Sequence, residues 1–209
     1  MDVDVVEIRV LGCLIEKQRT TPDAYPLSLN ALRLACNQAT NRDPVVAYEE
    51  REIKAALDRM SNRGWTRFAS GVSSRALKYR QLLDEALGLS EPEISLLGIL
   101  MLRGPQTVGE LKQRSERLHR FGSIAEVAET LDGLTQRELV ARLERRPGQK
   151  EERWQQLLGG DAEPASEPFA PPAPGEGADR LGAIEERLER LEGAFDELIA
   201  RLDKVPDRD

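Results

Sequence analysis

A single histidine, His119, is all the imidazole in these 209 residues, so a His-dependent catalytic triad or a multi-histidine metal site lacks its parts. Glycine-rich phosphate loops, HExxH and GxSxG are also missing. Carboxylates recur on helix faces at solvent-facing spacing, but no other catalytic feature accompanies them. The expectation is a non-enzymatic protein with no cofactor and no metal. The two cysteines, Cys13 and Cys36, lack CxxC spacing and fall within helical patterns among aliphatic residues, as buried free thiols do. No apolar run nears the roughly 18 residues that span a bilayer, and the opening Met1-Asp2-Val3-Asp4 lacks a basic start, so a cytoplasmic protein with no membrane partner is expected. With 40% hydrophobic but only 4% aromatic residues, two small domains and a tail are favoured over one large core.

Net charge is -7, which by itself disfavours a nucleic-acid partner. The charge is segregated, however. Residues 1–158 carry 24 Lys and Arg against 23 Asp and Glu, while residues 159–209 carry 6 against 14. The acidity belongs to the tail.

Along residues 1–81, helical spacing of Ile8, Leu11, Leu14 and Ile15 predicts a helix from Val3 to Lys17, stopped by Thr20-Thr21-Pro22. A second helix is predicted from Ser28, a good N-cap, to Gln38, and a third from Glu49 to Arg63, closed by Gly64. Trp65 to Ala69, a polar turn, and Arg75 to Arg80 then read as a hairpin. Three helices followed by a hairpin is the winged-helix order.

The order returns over residues 82–158. After a connecting helix near Leu82 to Leu89 come helices at Glu91 to Arg103, Thr107 to Glu116 and Ser123 to Arg137, then a hairpin from Leu139 to Leu157. Capping boxes at Ser90/Glu93, Thr107/Glu110 and Ser123/Glu126 mark three helix starts. Adding 74 maps Ile53, Leu57, Met60 and Trp65 onto Val127, Leu131, Leu134 and Leu139, and adding 86 maps Leu11 onto Leu97. A divergent duplication accounts for both offsets. The fold class expected is mainly α with small β-hairpins (α+β), as tandem winged-helix domains.

Residues 159–178 hold five Pro and four Gly and read as a flexible linker. Over residues 179–204, Leu181, Ile184, Leu188, Leu191, Phe195, Leu198 and Leu202 alternate spacings of three and four, the seam of a coiled coil. Arg180 with Glu185 and Arg187 with Glu192 pair attractively across a parallel homodimer. Docking of this helix on the protein's own domains is the alternative.

The run Leu11-Gly12-Cys13-Leu14-Ile15-Glu16-Lys17, then Thr21-Pro22-Asp23, Tyr25-Pro26-Leu27-Ser28-Leu29-Asn30-Ala31-Leu32, Ala35-Cys36-Asn37-Gln38 and Asn41-Arg42-Asp43-Pro44-Val45, resembles the YceH-like family of bacterial proteins. The resemblance continues through Arg117-Leu118-His119-Arg120-Phe121 and Arg145-Arg146-Pro147-Gly148-Gln149-Lys150-Glu151, covering about residues 3–158. It implies a tandem winged-helix fold and carries over no site residues.

In a DNA-bound winged helix the third helix enters the major groove and the hairpin touches phosphates. The third helix of the first half balances Arg51, Lys54, Arg59 and Arg63 against Glu49, Glu50, Glu52 and Asp58. Its counterpart has only Arg137 against Glu126, Glu129 and Asp132, a poor groove reader. The first hairpin carries Arg67, Arg75, Lys78 and Arg80 with no acid, and the second mixes five cations with three Glu. Double-stranded DNA is thus the expected partner, gripped by Arg67, Arg75, Lys78 and Arg80, with Arg42 secondary. The alternative for the hairpin is charge that merely keeps it soluble, and the amides around Arg42 cap helices as readily as they contact DNA. The competing function is a protein-interaction scaffold, similar in plan to kleisin-associated tandem winged-helix proteins, with the second half facing a protein partner. A further possibility is that the acidic tail folds over the basic hairpin and regulates it.

Overall fold

In the computed structural model of the chain, the residues described are 3–69, 77–145 and 151–159. They form seven α-helices, a short 3-10 helix at Pro22–Ala24 and two small antiparallel sheets, an α+β arrangement dominated by helix. The first half contains α1 (Val5–Thr20), β1 (Leu27–Ser28), α2 (Leu29–Cys36), α3 (Glu50–Asn62), β2 (Thr66–Ala69) and β3 (Lys78–Gln81). After α4 (Leu83–Leu87) come α5 (Glu91–Arg103), α6 (Val108–Ser115), α7 (Ile124–Gln136), β4 (Val140–Leu143) and β5 (Arg153–Gln156). No helix among the described residues is long and apolar enough to cross a membrane. The linker and the heptad segment lie outside the described residues.

Local chemistry explains the boundaries. The Ser28 and Thr107 hydroxyls accept from the N–H groups of Ala31 and Glu110, both at 3.2 Å, and the Glu110 carboxylate accepts from Thr107 N–H at 2.9 Å. The Ser90/Glu93 box closes as expected, with Ser90 N–H donating to Glu93 at 2.7 Å. At α7 only half the box forms. Ser123 caps Glu126 N–H, but the Glu126 carboxylate turns to Gly122 N–H at 2.7 Å. Two further boxes use carboxylate caps, Asp4/Glu7 on α1 and Glu49/Glu52 on α3. Gly64 ends α3 at φ +75°, where a Cβ would be strained.

The two halves repeat one another in detail. All four residue pairs related by 74 positions are buried, as are Leu11 and Leu97. Trp65 N–H donates to Met60 O at 2.9 Å, and Leu139 N–H to Leu134 O at 3.0 Å. Gly64 has its counterpart in Glu138, which adopts φ +55° although it is not glycine. The residue before each hydroxyl cap also pairs with the aromatic of the last strand: Leu27 with Tyr79 through β1, and Gln106 with Trp154 as a single bridge. These short pairings were not expected from sequence, because two residues or one carry no periodicity.

Between the halves, α1 and α5 lie against each other. Each has nine consecutive buried residues, Glu7 to Ile15 and Ile94 to Leu102, so neither has a solvent face along its middle. Glycine makes the approach possible. A Cβ added at Gly12 would stand 2.9 Å from the Leu102 side chain, and one at Gly98 only 2.8 Å from Ile15 Cγ2. The offset of 86 that relates Leu11 to Leu97 also relates these two glycines. Buried side chains of both halves form one continuous cluster. Cys13 and Cys36 lie within it as free thiols.

Candidate nucleic-acid interface

The pleat of the first hairpin sorts its side chains. Arg67 stands opposite Arg80, and Ala69 opposite Lys78, so the three cations share one face. Thr66, Tyr79 and Gln81 take the other face and are buried. Phe68 leans on Tyr79 with ring centroids 5.2 Å apart. Tyr25 braces the strand end, its hydroxyl accepting from Gln81 N–H at 2.7 Å; burial pushes this phenol up to about 12. The cationic face is therefore carried on a strand anchored to the core on its reverse side.

Within that face the three cations differ. Arg67 is exposed, and no acidic partner lies within ion-pair distance of Arg67 or Lys78 among the described residues. Arg80 donates to Glu85 of α4 at 2.7 Å, which relieves its repulsion with Arg67 directly opposite. Arg75 lies outside the described residues.

Arg42 is elsewhere. Its side chain is 0% exposed and forks onto Glu16, at 2.6 Å through Nη2 and 3.1 Å through Nη1, while also donating to Ala35 O, Asn41 O and Gln38 Oε1. Burial pushes Glu16 up, but Arg42 more than offsets this and holds its carboxyl below the usual carboxylate range. The expectation of a secondary phosphate contact at Arg42 is therefore corrected. This guanidinium ties α1 to the loop after α2 and has no donor to offer a ligand.

The basic side chains of α3 and of its C-cap, Arg63, are committed within the protein. Arg51 pairs with Glu49, Lys54 with Asp58, Arg59 with Asp4 and Glu7, and Arg63 with Glu7 at 3.1 Å. On α7 the acids Glu129 and Asp132 face outward, and Arg137, at its C-cap, is engaged by Glu93 and by the carbonyls of Leu87 and Gly88. In the second hairpin Arg142 pairs with Glu152, and Arg153 with Glu110 at 3.2 Å. The balanced charge read from α3 thus corresponds to actual ion pairs, whereas the first hairpin presents, in Arg67 and Lys78, cations without acidic partners among the described residues.

The family model described as "Protein of unknown function, DUF480" matches residues 3–149. A UPF0502 protein of Geotalea uraniireducens is 46% identical over 203 residues, covering 96% of this chain and 91% of that protein. One from Geobacter metallireducens is 50% identical over 191 residues, covering 89% and 85%. The UPF0502 protein YceH of Escherichia fergusonii is 43% identical over 206 residues, covering 94% and 95%. At this identity over nearly the whole of both chains, the protein belongs to the DUF480 (UPF0502) family.

Proposed function

We propose that this is a non-catalytic tandem winged-helix protein of the cytoplasm that binds duplex DNA through the first hairpin, largely without reading sequence. The supporting observation is the contrast between Arg67 and Lys78, which share one face with Arg80 and have no acidic partner among the described residues, and the ion-paired side chains of α3. Cations already paired release few counterions on meeting phosphate, whereas open ones release them and drive association. Fluorescence anisotropy with random-sequence duplex at two salt concentrations tests the reading. Three phosphate contacts give a log–log salt slope of about -3, and reversing Arg75, Lys78 and Arg80 to Glu abolishes binding. Unchanged affinity of that variant at low salt refutes it.

The second half fits a protein partner better. Its α7 surface is acidic, Ile124 is 57% exposed, and Ile124 borders an open hollow of about 480 Å³ with Val108 and Trp154. Ile124→Glu should leave DNA affinity unchanged while abolishing partner capture, and loss of DNA binding in this variant would contradict the division of labour. Self-association is assigned to the heptads of residues 179–204, so deleting residues 160–209 should convert a dimer to a monomer in sedimentation; an unchanged number of protomers refutes the assignment.

A further inference from the structure

The seam between the halves holds a pocket of about 240 Å³ that draws on four separate parts of the chain: the end of α1, the loop after α2, the end of α5 and α6 with the turn beyond it. Its polar lining is strongly unbalanced. Lys17, Arg103, Arg114 and Arg117 all border it, against the single carboxylate of Glu16, which is already committed to Arg42. Lys17 pairs with Glu16 at 3.5 Å and Arg114 with Glu110 at 3.6 Å, so these two are partly neutralised. Among the described residues, neither Arg103 nor Arg117 has a carboxylate within ion-pair distance; Arg103 reaches only the amide oxygen of Asn41. Burial and then the neighbouring charges of Arg114 and Arg42 push the Arg103 guanidinium below its ordinary value. Like charges gathered in a partly enclosed recess repel, and structural pairing of the kind seen on α3 would have relieved this.

We propose that this pocket binds a small phosphomonoester. Guanidinium forks converging from α5 and from the turn after α6 match phosphate oxygens, with the Lys17 ammonium as a third cation. Ile99, Leu102 and Leu118 supply an apolar wall for the organic body. The volume lies just under the range of drug-sized sites, so the ligand is smaller than a dinucleotide. A recess between packed helices also excludes a duplex, which makes the pocket distinct from the hairpin face.

Calorimetric titration of the full chain with AMP, glucose 6-phosphate, inorganic phosphate and citrate provides the test. At least one of the two phosphomonoesters should bind saturably. Arg103→Gln and Arg117→Gln should each weaken it about tenfold or more, the loss expected when a charge-assisted hydrogen bond is removed. Arg67→Gln, on the hairpin, should leave the affinity unchanged. If Arg103→Gln disturbs the circular dichroism spectrum, Lys17→Gln and the exposed Arg117→Gln carry the comparison. Absence of saturable binding by either phosphomonoester at about 10 mM, ten times a millimolar Kd, overturns the proposal. So does undiminished binding by the folded variants, or citrate binding as tightly as the phosphomonoester.

Discussion

Changing Glu16 to Gln deletes one charge from the most deeply buried ion pair of the described residues and preserves shape. Arg42 would keep its carbonyl partners but lose its counter-charge, in a place where its side chain is 0% exposed and Glu16 is 15% exposed. Removing one member of a buried pair costs about 3–5 kcal/mol, and because Gln still offers one acceptor the lower end is expected, ~3 kcal/mol. For a folded unit of this size that lowers Tm by about 6–12 °C. Urea unfolding followed by tryptophan fluorescence, which reports on Trp65 and Trp154, should show the midpoint falling at unchanged m. The pH dependence gives an independent check. The Glu16 carboxyl titrates below the usual range when folded, so its contribution is fully present above the unfolded carboxylate value of about 4.3 and disappears as pH falls through the lower folded value. The gap between wild type and Glu16→Gln should therefore close in acid. Arg42→Met combined with Glu16→Gln should recover part of the loss, since no unpaired charge is left buried. A single variant within about 1 kcal/mol of wild type at neutral pH, or a gap constant down to pH ~2, would refute the reasoning.

Other expectations follow from the repeat and the hairpin. Gly98→Ala places a methyl 2.8 Å from Ile15 Cγ2, and overpacking of about 1–3 kcal/mol should exceed the helix-propensity gain of up to ~1 kcal/mol, so urea midpoints should fall. Gly64→Ala should cost about 1 kcal/mol because its φ is +75°, whereas Glu138→Gly, at φ +55° in the equivalent place, should stabilise by about 0.5–1 kcal/mol, both read by thermal unfolding. Thr107→Ala should cost about 1 kcal/mol through loss of the α6 cap, with Thr107→Ser retaining stability. Arg67→Glu should reduce the DNA salt slope by at least one unit, measured as anisotropy against log salt.

What sequence alone reveals here is largely what short-range chemistry controls. The bounds of α5 are legible because Ser90 and Glu93 cap one end and Gly104 takes a positive φ at the other. The placement of Arg67, Lys78 and Arg80 on one face follows from strand alternation. Arg42 defeats the same kind of reasoning, since a charged residue in a polar loop reads as solvated until Glu16, 26 positions earlier, is brought against it. The cations of the seam pocket are similarly dispersed, from Lys17 to Arg117, and converge only because α1 meets α5. The two glycines that permit this meeting sit inside helical patterns, where glycine ordinarily registers only as a weakness.

The contact of α1 with α5 also sets a schedule for biosynthesis. The apolar surface around Gly12 and Ile15 leaves the ribosome first, but the helix that covers it begins at Glu91. At about 5–20 residues per second, the nascent first half waits several seconds with that surface bare, a period in which it is open to chaperones or to other nascent chains. A fragment ending near residue 81 would remain in that state permanently, so the first half should be insoluble when expressed alone and should be rescued by co-expression of the second.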